Sequence, residues 1–172
     1  DFCAEYPNSR FGETWCLSPE QSLSLHAGNR TVPNQLIVRT PRGGNKPTGL
    51  IFNTSIFDLR STMPLARNVV EDDGLRLFAI PAALVEISSG FFQQKPTDAR
   101  TILATIGDAS QVLALLLDGG HSVIAGRIAG AFRNIGRDRI AEEILSGMSA
   151  AGYTVRETDP FDAQIALGLP RR

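Results

Sequence analysis

The hydrophobic and polar positions of the chain follow different patterns in its two halves. Up to about residue 80, apolar residues stand in short runs rich in Ile, Val, Phe and Thr, such as "QLIVRT", "TGLIFNTSIFDLR" and "LRLFAI". Such runs are typical of strands, and Asn53-Thr54-Ser55 is a candidate turn between two of them. From Pro81 onward, apolar residues recur three and four positions apart, which predicts five helices separated by prolines and glycines.

One short helix is predicted inside the strand-rich half, within residues 17–27. Ser18 is a candidate N-cap, Pro19 suits the first helical position, and Gln21 completes the sequence pattern of a capping box. Gly28 follows the last apolar position and is placed to end the helix.

The separation of strands from helices predicts an α+β fold, with a small, mainly antiparallel sheet in the first half packed with a helical second half. A parallel βαβ arrangement would require strands and helices to alternate along the whole chain. We expect one domain over residues 1–160, strand-rich to about residue 80 and helical after it. Residues 161–172 are expected to form a linker.

Composition and charge are those of an ordinary globular protein and exclude several other classes. The 172 residues are 42% hydrophobic and 20% charged, which argues against a disordered or repetitive chain. No apolar run approaches the roughly 20 residues needed to cross a bilayer, so we expect no membrane partner. The formal net charge of -1 lacks the basicity typical of nucleic-acid binders, and only a local basic patch is compatible with it.

The cysteines bear on the location of the protein. Cys3 and Cys16 are too few for a disulfide scaffold, and they lack the spacing of a zinc site or a redox motif. Free thiols in a reducing cytoplasm are the preferred interpretation, and a single disulfide in a secreted chain is the alternative. The chain begins at Asp1 without an initiator methionine or a signal-peptide pattern, so we expect a fragment of a cytoplasmic protein.

The stretch "GGHSVIAGRIAGAFRNIGRDRIAEEIL", residues 119–145, has apolar residues at helical spacing on both sides of Gly136. This pattern predicts two amphipathic helices joined by a tight turn. Gly126 and Gly130 stand one helical turn apart, so they leave a groove in which another backbone can approach closely. We predict a helix-packing contact there, since close packing compensates for the helix propensity that each glycine gives up, about 1 kcal/mol relative to alanine.

Four arginines surround the predicted turn: Arg127, Arg133, Arg137 and Arg139. A DNA-binding helix-turn-helix uses such cations on phosphates, so they are the candidate contacts to a partner or to nucleic acid. Glu142 and Glu143 follow at once, however, and the second helix lacks a set of polar residues suited to base edges. A helical hairpin with a charged face is therefore favoured over a DNA-reading motif.

The motifs predict no catalytic residue, metal site or cofactor. The glycines at 119 and 120 are not followed by the lysine of a Walker motif, and the three-glycine spacing of a dinucleotide-binding loop is missing. His26 in "HAGNR" lies at a helix end, where histidine and glycine have structural roles. No serine or cysteine has a base at motif spacing, and "EDDG" at residues 71–74 fits a surface turn better than a metal site.

A first resemblance concerns "LSPEQSLSLHAGNRTVPNQLIVRTPRG", residues 17–43. It resembles the AbiEi-type antitoxin family, in which a Ser-rich helix ends in Leu-His-Gly and is followed by a proline and then by a strand that runs into a proline-containing turn. Residues 25–28, Pro33 and residues 36–41 hold those places. Ala27 departs from the commoner pattern, and the match covers about a quarter of the chain.

A second resemblance concerns "AGRIAGAFRNIGRDRIAEEILSGMSAAGYTVRETDPF", residues 125–161. It is similar to the segment that precedes the catalytic domain in some bacterial Fic (filamentation induced by cAMP) proteins, which transfer AMP from ATP to protein hydroxyls. The family motif His-x-Phe-x-Asp/Glu-Gly-Asn-x-x-Arg has no adequate counterpart here, because "HAGNR" is too compressed to form the required loop. The resemblance thus implies a transferase centre beyond Arg172 and no catalytic residue in this chain.

Together these features lead us to expect a noncatalytic regulatory or partner-binding domain from the N-terminal part of a Fic-family protein, and not an enzyme. The expected partner is the adjoining Fic catalytic domain or another protein. Two alternatives stay open: an AbiEi-like antitoxin or transcriptional regulator that binds DNA, and an unrecognised enzyme.

Overall fold

The computed structural model describes residues 7, 15–29, 35–41, 43–45, 47–49, 55–61, 63–72 and 74–162. The chain forms two compact units, Asp1–Ala83 and Leu84–Arg172. In the described residues the first unit holds the strands, and the second consists of helices and an extended C-terminal segment.

The first unit contains a four-stranded sheet in the order β1-β2-β4-β3. Its strands are β1 (Cys16–Leu17), β2 (Gln35–Thr40), β3 (Pro47–Gly49) and β4 (Ser55–Arg60). β1 and β3 pair antiparallel with their neighbours, whereas β2 and β4 run parallel, with Gln35 opposite Ser55. Asn53 and Thr54 of the predicted turn lie outside the described residues, and the strands that flank it, β3 and β4, pair antiparallel.

Helix α1 (Pro19–His26) has the predicted N-cap, because Ser18 Oγ accepts the Gln21 N–H at 3.2 Å. The predicted capping box is wrong in its second half. The Gln21 side chain does not return to Ser18 but accepts from the Ile37 N–H at 2.9 Å and donates to the Gln35 carbonyl at 3.0 Å. Because β1 is only two residues long, it leaves backbone groups of β2 unpaired, and the Gln21 side-chain amide bonds to two of them.

The first unit is completed by a hairpin of β5 (Val69–Asp72) and β6 (Leu75–Phe78), which form a two-stranded antiparallel sheet. A 3-10 turn, Ala66–Asn68, precedes the hairpin. Of the predicted "EDDG" surface turn, Glu71 and Asp72 end β5 and Gly74 adopts φ +80 before β6, while Asp73 lies outside the described residues. The buried cluster of this unit consists of Trp15, Leu17, Leu36, Val38, Leu75 and Leu77, with Leu25 of α1 packed against it.

The helical part of the chain begins with α2 (Ile80–Glu86), which crosses the division between the units. The helices that follow are α3 (Phe91–Gln94), α4 (Pro96–Thr105), α5 (Ser110–Gly119), α6 (Ser122–Asn134) and α7 (Asp138–Ala150). Their breaks coincide with the prolines and glycines of the sequence. The element that the periodicity did not predict is the one-turn helix α3.

Helices α6 and α7 form the predicted hairpin around Gly136, which adopts φ +82. The Gly136 N–H donates to the Arg133 carbonyl at 3.0 Å and the Arg137 N–H to the Phe132 carbonyl at 2.9 Å, so α6 ends in a Schellman motif. Only a glycine adopts this left-handed conformation without strain, which explains the sharp turn. The residues buried between the helices include Ile128, Phe132, Ile140, Ile144 and Met148.

The structure confirms the predicted α+β class, because a small and mostly antiparallel set of strands precedes a series of helices. In the part of the chain that the structure describes, no single helix is long and apolar enough to cross a membrane. Helices α4 and α5 reach that length and composition only as a pair bent by 110°.

Candidate functional site

The two predicted packing glycines, Gly126 and Gly130, are buried on α6 against the segment that follows α7. We name this segment, residues 153–162, the strap. A Cβ added at Gly126 would lie 2.0 Å from the carbonyl oxygen of Arg156, and one added at Gly130 would lie 1.7 Å from that of Thr158. The strap backbone thus occupies the space that larger side chains would fill.

The spacing of these contacts shows that the strap is extended where it meets α6. Four residues of helix rise about 6 Å, and two residues of an extended chain span about 6.6 Å. Arg156 and Thr158, two positions apart, therefore match Gly126 and Gly130, and the strap runs in the same direction as α6. The Thr158 N–H also donates to the Gly126 carbonyl, at 3.2 Å.

The sequence therefore identified the close approach but not the element that makes it. We predicted a helix against Gly126 and Gly130, and the structure instead places an extended segment there. The physical reason is that a glycine without a side chain lets a backbone carbonyl approach its Cα hydrogens. The resulting weak Cα–H···O contact is made by carbonyls of strands and of helices alike. The glycine spacing alone does not distinguish between them.

Arg133, at the end of α6, is the centre of an ion-pair network. Its Nε lies 2.9 and 3.0 Å from the two carboxylate oxygens of Glu157 in the strap, and its Nη2 lies 2.6 Å from Glu142 Oε1 on α7. Asp138 Oδ1 is 3.8 Å from its Nη1. Hydrogen bonds to Glu142 and Glu157 raise the pKa of the guanidinium above its usual range, so Arg133 is held as a cation between α6, α7 and the strap.

The strap is attached by further contacts after Glu157. Asn134 at the end of α6 donates to the Asp159 carboxylate at 3.0 Å. The Phe161 ring packs edge-on against Phe92, with centroids 5.4 Å apart, and the Arg100 guanidinium lies 4.6 Å from the centroid on its face. These contacts fix the end of the strap to α3 and α4.

Arg137 has a structural role between two helices. Its Nη1 donates to the carbonyl of Leu103 at 2.8 Å and to that of Ile106, at the C-terminal end of α4. The last carbonyls of a helix lack partners within the helix, and a cationic side chain satisfies both their hydrogen bonds and their partial negative charge. Arg137 therefore joins the start of α7 to the end of α4.

The other two predicted contact residues are more accessible. Arg139 pairs with Glu143 on the same helix at 3.1 Å, but 79% of its side chain is exposed. Arg127 is half-buried on α6, burial lowers the pKa of its guanidinium, and no described residue pairs with it. The four arginines therefore do not form one cationic surface: Arg133 is neutralised, and Arg137 points at carbonyls.

His26 and Cys16 also have structural surroundings. A ring nitrogen of His26, Nε2, lies 2.8 Å from the Phe78 carbonyl, to which it donates, so it joins the end of α1 to the end of β6. Cys16 is a buried free thiol, and burial raises its pKa to about 12, which keeps it protonated at neutral pH. Cys3 lies outside the described residues, within which no cluster of three or more His, Cys, Asp or Glu suits a metal ion.

Sequence reasoning missed Glu157, Asp159 and Gly147. The two strap carboxylates follow α7 in a stretch without helical or strand periodicity, so only their charge, opposite to that of Arg133, hinted at a role. Gly147 lies on α7, and a Cβ there would be 2.3 Å from the Cδ2 of Leu113 on α5. It is the glycine of the hairpin that packs against another helix.

Comparisons of the chain with protein-family models, with curated proteins and with solved structures find no match.

Proposed function

We propose that the chain is a noncatalytic, partner-binding regulatory domain from the N-terminal part of a Fic-family protein, acting in the cytoplasm. The resemblance that suggests this family covers residues 125–161, which extend from α6 through α7 into the strap. This segment is one continuous piece of the second unit, held together by its own contacts. The proposed partner is the adjoining catalytic domain, with a linker toward it that begins after the attached residues Phe161 and Asp162.

A protein partner is favoured over a duplex by one observation, the use of the arginines around the α6–α7 turn. Arg133 is paired with Glu142 and Glu157, and Arg137 donates to backbone carbonyls. A phosphate would have to displace a carboxylate from Arg133 and would leave the α4 carbonyls without a partner at Arg137. Duplex binding depends on the free energy gained when phosphates are neutralised, and the loss of these contacts at Arg133 and Arg137 would reduce that gain.

The alternative, an AbiEi-like antitoxin or regulator that binds DNA, is supported by Arg127 and Arg139. Arg127 has no pairing partner in the described part of the chain, and Arg139 is largely exposed. Two such cations suffice for weak, salt-sensitive attraction to a phosphate backbone but do not read bases.

The test of the proposed function uses the parent reading frame and labelled ATP. We expect the frame to continue into a domain that carries the full His-x-Phe-x-Asp/Glu-Gly-Asn-x-x-Arg motif, and we expect the present chain alone to transfer no label from ATP to candidate proteins. The longer protein, in contrast, should transfer label, and replacement of its motif histidine should abolish the transfer.

Two results would contradict the proposal. A parent frame without the motif would remove the Fic assignment. Transfer of label by the present chain, lost in a His26→Ala variant but kept in a His121→Ala control, would show that "HAGNR" is catalytic.

A further inference from the structure

The strap has mostly exposed side chains at its beginning and attached side chains at its end. Its first residues, Tyr153, Thr154 and Arg156, are exposed, and Gly152 before them adopts φ +91. The side-chain attachments described above all lie within residues 157–161. The Gly152 N–H donates to the Ser149 carbonyl and the Tyr153 N–H to the Met148 carbonyl, both at 3.0 Å, so α7 ends in a Schellman motif and Thr154 is the first residue beyond this cap.

The backbone of the strap adds little to this attachment. Within the described residues, the Thr158 N–H to the Gly126 carbonyl is the one backbone hydrogen bond between the strap and α6. Besides the two carbonyl oxygens, a Cβ added at Gly126 would meet Val155 Cγ1 at 3.4 Å, and one added at Gly130 would meet the Asp159 nitrogen at 3.2 Å. Segments with few backbone hydrogen bonds and exposed side chains open at free energies well below that of global unfolding.

Arg133 keeps its charge partners whether the strap is attached or not. When Glu157 leaves, Glu142 and Asp138 of α7 still lie beside the guanidinium, at 2.6 and 3.8 Å in the attached state. The Glu157 side chain is 33% exposed in the attached state, so water already solvates part of it. When the strap detaches, water also solvates the rest, which offsets part of the loss of the ion pair. Release of the strap thus leaves neither a buried cation nor a buried anion without a partner.

The aromatic end favours the attached state. Phe161 packs between Phe92 and Arg100, and the Gln93 side chain donates to the carbonyls of Pro160 and Asp162 at 3.3 and 3.2 Å. These contacts hold residue 162 at α3.

We propose that the strap is a conformational switch: its residues 154–162 detach as a unit beyond the cap of α7 while the α6–α7 hairpin stays folded, and the ion pair between Arg133 and Glu157 controls the detachment. The attached state covers the groove at Gly126 and Gly130, and the detached state uncovers it. This inference uses only contacts within the second unit and does not rest on the proposed function.

Trypsin cleavage under native conditions tests the switch, because the bond between Arg156 and Glu157 lies inside the strap. A protease needs a detached, extended stretch on both sides of the bond, so the rate of this cut reports the detached state. We expect mass spectrometry to find the cut in native buffer. Low urea concentrations should increase the population of the globally unfolded state but hardly change the rate of this cut. The α6–α7 hairpin should stay intact at Arg133, Arg137 and Arg139.

Two substitutions then test the role of the ion pair. Glu157→Gln should raise the rate about two- to fivefold, as expected for the loss of an ion pair whose side chains are 35% and 33% exposed. Glu143→Gln removes a carboxylate that pairs with Arg139 outside the strap, and it should leave the rate unchanged. Each rate is divided by that of a peptide of residues 150–162 with the same sequence as the protein tested, because the residue after the cut affects trypsin directly.

A third variant, Phe161→Ala, removes the aromatic attachment and should raise the normalised rate further than Glu157→Gln. The proposal is overturned if the cut follows global unfolding at every urea concentration, since the strap would then belong to the same cooperative unit as the hairpin. It is also overturned if Glu157→Gln and Glu143→Gln give equal normalised rates.

Discussion

Helices α6 and α7 of the same hairpin carry glycines that face different kinds of neighbour. On α6, Gly126 and Gly130 face backbone carbonyls of the strap, whereas on α7 Gly147 faces the end of the Leu113 side chain. At Gly126 and Gly130 the strap backbone leaves no room for a Cβ. At Gly147 a Cβ would clash only with the present rotamer of Leu113, a partly exposed side chain.

The fold therefore requires glycine at positions 126 and 130, whereas at position 147 it tolerates a larger residue if one neighbouring side chain rotates. A carbonyl in the strap can move only if the strap moves, because its position is tied to Arg133, Asn134 and Phe92 by the residues that follow it. A leucine side chain adopts another staggered rotamer with little change elsewhere. The same sequence feature is therefore expected to have different effects when it is replaced.

The largest effect is expected for Gly130→Ala. The new methyl carbon would lie 1.7 Å from the Thr158 carbonyl oxygen, so the strap or α6 must shift. We expect urea unfolding to show a loss of about 1 to 3 kcal/mol, although alanine in an open helix position would gain about 1 kcal/mol. Gly126→Ala should behave alike. Stability equal to or above wild type in both variants would mean that the carbonyls do not occupy this groove in solution.

The second effect concerns the cation that attaches the strap. Arg133→Ala leaves Glu142, Glu157 and Asp138 near one another without a cation, so we expect a lower Tm and a steeper loss at low salt, where carboxylates repel most. Its matched control is Arg139→Ala, which removes only an exposed pair on one helix and should change stability by less than about 0.5 kcal/mol. Equal Tm values for the two variants would contradict the network.

A small effect is expected for Gly147→Ala, which tests the other side of the comparison. The methyl would meet Leu113 Cδ2 at 2.3 Å, but that atom is the end of a flexible side chain. Rotation of Leu113 and the higher helix propensity of alanine oppose each other, so the net change should stay within about 1 kcal/mol of wild type. A loss as large as that of Gly130→Ala, measured in the same urea series, would remove the distinction between backbone and side-chain neighbours.

The sequence predicted the hairpin well because its signals are local. Eight apolar residues lie at helical spacing there, and five of them are buried: Ile128, Phe132, Ile140, Ile144 and Met148. Ile124 and Ile135 are half-buried, and Ala151 is exposed just after the end of α7. The end of α6 at Gly136 also followed from local chemistry, since the Schellman motif needs a residue that tolerates positive φ. Periodicity and end signals are read within a few residues, where no tertiary information is needed.

What the sequence did not predict depends on partners that are distant along the chain. The strap has neither a period of 3.6 nor a period of 2, so nothing local indicated that it lies on α6. Gln21 matched a capping-box pattern, yet its amide pairs with β2, because the short strand β1 leaves backbone groups there to satisfy. In both cases tertiary hydrogen bonds decided between alternatives that local chemistry allows.

The central claim is that Arg133 and Arg137, beside the α6–α7 turn, stabilise the second unit and do not contact a duplex. The most direct test is a titration of the chain into labelled duplex DNA of several sequences over a range of salt concentrations, followed by anisotropy. Wild type and an Arg133→Ala/Arg137→Ala double variant are compared, with the urea stability of both measured in parallel.

We predict weak binding at low salt that disappears near physiological salt and does not depend on sequence, because Arg127 and Arg139 supply only exposed or unpaired charge. The double variant should lose stability and keep most of this weak binding. Sequence-selective binding that persists near physiological salt, and that the double substitution abolishes without loss of stability, would contradict the account and favour a DNA-binding regulator.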